Sequence, residues 1–315
     1  MTRPKANLAA SVRQRLFNLA RMRGEDFSLV LTKFALERVL YRLSKSKHRD
    51  LFVLKGALLF EVWTGEQYRP TRNADFSARS QDNPERFAQI FKDLCFAKLE
   101  EGDGLQLDAS SIVVERIPGE ATYGGLRVKL PGGLDNARFS VQIDLGFGDA
   151  ITPRPVELEL PSLLKLPAAK LWTDPRETVI AEKFETAVHL GIAHTRMKDL
   201  YDLHVLAQRF SFDGKDLSEA ITKTFKTRNT QIPAGPPLVF RAEFFNDADK
   251  MKQWNAFRNK NREQIEDITL EAVCAEMADF LGPVIEAINN EDPPPGMWRD
   301  GHWTSFLANQ RGAEI

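Results

Sequence analysis

The sequence predicts an α+β fold, with a mixed or antiparallel sheet and helices in its first part and a mainly helical second part. Three observations carry this. Apolar residues between Ala6 and Arg49 recur three or four apart, three strand-like runs separated by Pro-Gly turns fill residues 111–145, and helical periodicity dominates beyond the Pro-rich stretch 153–167.

The elements follow in order. Leu16, Leu19, Phe27, Leu31, Phe34, Leu36, Val39, Leu40 and Leu43 mark two helices broken near Gly24. Residues 50–54 then form a short strand or turn that feeds a helix over 57–63 through Lys55-Gly56, and Thr64-Gly65 ends it. Arg69-Pro70-Thr71-Arg72 reads as a turn and 73–78 as a strand. An amphipathic helix covers 84–99. Strands follow at 111–117, 125–130 and 137–145, with turns at Pro118-Gly119 and Pro131-Gly132-Gly133, an antiparallel meander ending on Asp144. Two helices fill 175–209, and 215–228 and 262–290 are helical too, with irregular chain over 231–248. The expected organisation is an N-terminal α/β domain over 1–165, a helical domain over 166–290 and a loosely ordered tail, carrying Pro293-Pro294-Pro295, over 291–315.

Composition narrows the class. A chain of 315 residues with 43% hydrophobic and 28% charged residues can build a sizeable core, and no run of about 18 apolar residues crosses a bilayer. The first residues lack the apolar stretch of a secretion signal, and two cysteines, Cys95 and Cys274, are too few for a disulfide scaffold or a cysteine zinc site. A cytoplasmic protein without a membrane partner is expected. The net charge of −1 conceals an excess of eight positive charges in residues 1–50, a stretch able to follow a phosphate backbone or simply to form a solvated helix face.

The chemistry centres on three features. Gly56, between Lys55 and Ala57, opens a helix where backbone amides can approach a phosphate closely. Asn73 and Asp75 stand two apart on a strand and so share one face, where oxygen atoms can hold a divalent cation. Asp144 lies among apolar residues in a later strand, a costly place for a carboxylate that is not paired or bound to metal. Two divalent ions, Mg²⁺ or Mn²⁺, held by carboxylates, with phosphate-binding amides and nearby Lys or Arg, are what two-metal nucleotidyl transfer from an NTP requires. In the second part, Lys183 lies on one helix, and Arg196, Lys198, Asp199 and Asp202 lie close together on the next. An ion-paired helix hairpin explains the same residues. His189, His194 and His204, spaced five and ten apart, share no helix face and read as surface or packing residues rather than a metal set.

The run from Phe52 to Leu59 with Lys55-Gly56-Ala57, followed by Arg69-Pro70-Thr71-Arg72-Asn73-Ala74-Asp75-Phe76, resembles the first motif of the AbiEii-type nucleotidyltransferase toxins. Arg196-Met197-Lys198-Asp199 through Asp202, with Lys183 on the preceding helix, resembles their downstream motif, and the likeness spans roughly residues 50–210. The resemblance implies a polymerase β-like nucleotidyltransferase domain with a helical part forming the other wall of a cleft, as in the MenT-like toxins of type IV toxin–antitoxin systems. It also implies NTP as substrate, RNA and in particular the tRNA 3′ end as acceptor, and a cognate antitoxin as partner. By carry-over, Asn73, Asp75 and Asp144 are the metal ligands. Lys55, Gly56, Ala57, Arg72, Lys183, Arg196 and Lys198 contact the nucleotide, and Asp199 is a required acid.

Where the family pattern has Asp, this chain has Asn73, whose carbonyl oxygen carries no charge and is a weak ligand for Mg²⁺. Strongly reduced activity is the expectation, and the intact remainder points to a substitution that silences a toxic protein. Two alternatives stand beside it: a silent NTP- or RNA-binding module, and transfer to a protein hydroxyl. Thr71 either caps its turn or accepts a regulatory phosphate that would block the site.

Overall fold

A computed structural model describes residues 7–65, 73–117, 124–261, 265 and 267–304. Thr71 and Arg72 therefore lie outside the described residues. The chain divides into two compact units, Met1–Gly148 with Val156–Thr173, and Asp149–Pro155 with Asp174–Ile315.

In the first unit, α1 (Leu8–Arg23) is capped by Asn7, whose side chain accepts from the Ala10 amide, and ends on Gly24 in the left-handed region. Asp26 caps α2 (Phe27–Ser44) through the Ser28 and Leu29 amides. Then come β1 (Phe52–Lys55), α3 (Ala57–Thr64), β2 (Asn73–Ala78) and α4 (Pro84–Cys95), the last capped by Asn83 with Pro84 in its first turn. The remaining strands are β3 (Leu105–Leu107), β4 (Val113–Ile117), β5 (Gly125–Leu134), β6 (Ala137–Phe147), β7 (Val156–Glu159) and β8 (Lys170–Thr173).

Among the described residues these strands form one mixed sheet in the order β3-β5-β6-β2-β1-β8-β7, with β4 also on β5. β2 runs parallel to β6 and β1 parallel to β8, while β1–β2, β5–β6 and β7–β8 are antiparallel. One face is apolar: Phe52, Leu54, Ala74, Phe76, Leu126, Val128, Ile143 and Leu145 are fully or almost fully buried. Phe76 of β2 and Phe87 and Phe91 of α4 meet Phe52 edge-on. The period-two alternation leaves the opposite face to polar side chains.

Several expectations change, among them the helix read from 262, which begins at Leu270, and the irregular chain read over 231–248, which holds a short helix at Ala242–Phe245. The turn expected at Pro131-Gly132-Gly133 is strand: β5 continues to Leu134 and reverses at Asp135-Asn136, with Asp135 at φ 55°. Gly132 is needed there for space, because a Cβ would sit 2.6 Å from the Phe139 ring and 2.8 Å from the Gln106 carbonyl. The division between units falls at Thr173 rather than 165, since β8 is the parallel partner of β1 and stays with the sheet. The described part of the expected tail, residues 291–304, contains a hairpin. β10 (Met297–Arg299) and β11 (His302–Thr304) form a hairpin on β9 (Phe212–Asp213) in the second unit. Buried Trp298 donates to the Ala207 carbonyl at 2.7 Å and Trp303 to that of Phe280 at 3.0 Å, and these anchors outweigh the Pro run before them.

The other elements of the second unit are α5 (Arg176–Leu190), α6 (Met197–Arg209), α7 (Gly214–Thr227), α8 (Ala242–Phe245), α9 (Ala248–Asn261) and α10 (Leu270–Asn290). α5 packs on α6 and α7, and α10 packs on the same two helices.

Candidate nucleotidyl transfer site

The polar face of the sheet brings the first group together. Register places Lys55 opposite Asp75, Asp75 opposite Asp144, Asp144 opposite Arg127, and Arg127 opposite Glu115, one row across five strands. Two residues along β2, Asn73 stands opposite Gln142. Gly56 joins β1 to α3 with φ 80° and ψ −152°, a conformation nearly closed to other residues. Space imposes the same choice. A Cβ at Gly56 would lie 2.5 Å from Asp75 Oδ2, so the first turn of α3 and the Asp75 carboxylate are built against one another.

The two carboxylates are held by N–H donors. Asn73 Nδ2 donates to Asp75 Oδ1 at 3.3 Å. Arg127 grips Asp144 with both arms, Nε to Oδ1 at 2.9 Å and Nη2 to Oδ2 at 2.8 Å, and Gln142 Nε2 lies 3.2 and 3.3 Å from the same oxygens. This hydrogen bonding to Asp144 is the chief reason the Arg127 guanidinium is pushed above its ordinary range, against the pull of burial. The oxygens of Asp75 and Asp144 suit one hard divalent cation, because a carboxylate has about four acceptor positions and those left after Arg127 can still serve. Among the described residues no cluster of three or more His, Cys, Asp or Glu side chains forms a metal site.

The second group lies in the second unit. Lys183 of α5 reaches Asp199 Oδ1 at 2.6 Å and Asp202 Oδ2 at 2.7 Å, both on α6. Burial pulls the Lys183 ammonium down, but the two carboxylates outweigh it and the net shift is upward. Burial pushes Asp199 up, and the Lys183 charge and hydrogen bond bring it below the ordinary carboxylate range. Lys183 is thus neutralised within a buried triad, whereas Arg196 and Lys198, at the start of α6, are exposed. His204 pairs with Glu276, His194 is buried and His189 is exposed.

A family model described as nucleotidyl transferase AbiEii toxin, type IV TA system, matches residues 38–279. The chain belongs to the AbiEii nucleotidyltransferase toxin family. Nucleotidyl transfer is the general chemistry of AbiEii toxins, which use an NTP and a divalent metal. No curated protein matches the chain. Among solved structures, JHP933 from Helicobacter pylori is similar at 15% identity and TM-score 0.44 over 84% of this chain and 92% of its own. A proposed nucleotidyltransferase from H. pylori is similar at the same identity and score over 83% and 95%.

Arg127 and Gln142 received no role from the sequence, whereas Asp202 was read within the downstream motif. Arg127 and Gln142 follow from the hairpin register once the reversal is placed at Asp135-Asn136, and Asp202 lies on the face of α6 that Asp199 occupies.

Proposed function

We propose that this AbiEii protein transfers a nucleoside monophosphate from an NTP to an RNA acceptor, the 3′ end of tRNA, releasing pyrophosphate, and that Asn73 limits its turnover. The observation that carries this reading is the fit of Gly56 against Asp75, with Asp144 the register partner of Asp75. The amides of Gly56 and Ala57 at the start of α3 receive phosphate oxygens, aided by Lys55. Asp75 and Asp144 hold a divalent cation, Mg²⁺ or Mn²⁺, with the Asn73 carbonyl as a neutral third ligand. When bound, such an ion neutralises charge on the α-phosphate and on the departing pyrophosphate. The acceptor hydroxyl loses its proton, its oxygen bonds to the α-phosphorus, and the α–β bridging bond breaks. In the second unit, Lys183 is held by Asp199 and Asp202, with Arg196 and Lys198 beside those acids in sequence.

The Asn73→Asp protein incubated with total RNA, Mg²⁺ and each labelled NTP in turn should place label at RNA 3′ ends. Label that survives ribonuclease and stays with protein overturns the RNA acceptor. A second reading, an NTP-binding module without turnover, is favoured by one observation: Asn73 and Arg127 already donate hydrogen bonds to the two carboxylates. It predicts NTP binding with no transfer by either form.

A further inference from the structure

Arg127 has no place in the reaction as proposed, yet it bonds both oxygens of Asp144. Facing strands of a sheet lie about 4.8 Å apart, so Asp75 and Asp144, as direct register partners, are two like charges at close range. Such a pair needs a nearby positive charge. A divalent cation would provide it, and Arg127 already provides it from the next strand, bonded to both oxygens of Asp144 at 2.8 and 2.9 Å. Its geometry leaves little play. β5 is hydrogen-bonded on both sides, Glu115 faces Arg127 from β4, and Gln142 supports the Asp144 carboxylate from its own strand.

We propose that Arg127 is a positioning residue that competes with the divalent cation for Asp144, holding the carboxylate in place without nucleotide and making tight metal binding depend on the triphosphate. This inference rests on the reading of Asp75 and Asp144 as metal ligands. A bidentate guanidinium uses the two acceptor positions of Asp144 that point away from Asp75, and its charge repels an approaching cation. An NTP changes the balance, because its several negative charges bring a cation with them and offer the guanidinium a second partner.

The test is Mn²⁺ binding to the full chain without nucleotide, followed by the electron paramagnetic resonance signal of free Mn²⁺. Arg127→Gln, which keeps a donor and loses the charge, should bind Mn²⁺ at least tenfold more tightly than the unmodified protein. Arg127→Lys, which keeps the charge and loses the second arm, should show a smaller gain and carries the test should the Gln variant not fold. Adding a non-hydrolysable NTP analogue should tighten Mn²⁺ binding more in the unmodified protein than in Arg127→Gln. Equal or weaker binding by the Arg127 variants, or no binding by any form, overturns the inference. Asp75→Asn and Asp144→Asn separate the two levels. Their failure to weaken Mn²⁺ binding defeats the metal-site reading itself, whereas lost binding in both with no effect at Arg127 defeats only the competition.

Discussion

Gly56 answers two independent demands, a backbone conformation reserved for glycine and a Cβ-free approach to Asp75 Oδ2. Gly56→Ala should therefore cost about 1–3 kcal/mol in backbone strain and displace the carboxylate as well. Urea unfolding would measure the first, and a loss of transfer larger than the stability change explains would reveal the second. His194 makes a separate prediction. Burial pushes its imidazole down to about 4, with the Asp199 charge opposing and Arg196, Lys250 and Lys183 reinforcing. A base whose folded pKa lies below its unfolded value near 6.5 contributes stability above that value and loses it as the pH falls towards 4. Melting temperature should fall over that window, and His194→Leu should flatten the fall; an unchanged slope would contradict it. The places of Gly56, Asn73, Asp75 and Asp144 on their elements were legible because each signals locally, by a helix opening, an i, i+2 pair or an acid among apolar neighbours. Arg127 was not, because its role depends on where β5 reverses.

At the scale of elements, some helix starts were readable almost to the residue, as at Pro84 of α4 and Gly214 of α7, whereas α10, read from 262, begins at Leu270 on its Thr269 cap, and α9 was not read. The short strands β7 and β8 were not, since four residues carry too little periodicity and β8 gains its identity only by pairing with β1. The β10–β11 hairpin was hidden for a similar reason: its order comes from Trp298 packed on Phe280 and bonded to Ala207, a contact across 91 positions of sequence. Trp298→Ala should destabilise the second unit by about 3–5 kcal/mol, checked by urea unfolding. A change below about 1 kcal/mol would show that the hairpin adds little.

For the molecule as a whole, the positive charge of residues 1–50 is less available than its count suggests. Arg38 and Arg42 are buried on Asp103, and Arg38 also donates to the Pro167 carbonyl. Arg15, Arg21, Arg23, Lys45 and Lys47 remain exposed for any nucleic-acid partner. Among the described residues no helix is long and apolar enough to cross a membrane. Family membership supplies the general chemistry; its placement on the sheet, with Asn73 as the departure, is our proposal. The most direct measurement is the initial rate of Mg²⁺-dependent nucleotide incorporation into RNA by Asn73→Asp against the unmodified protein, with Asp75→Asn added to Asn73→Asp as control. Restoring a charged ligand should raise the rate by more than the roughly 10- to 100-fold that indirect supports of a metal site contribute, and the added change should abolish the gain. Equal rates in the first two proteins would contradict the account.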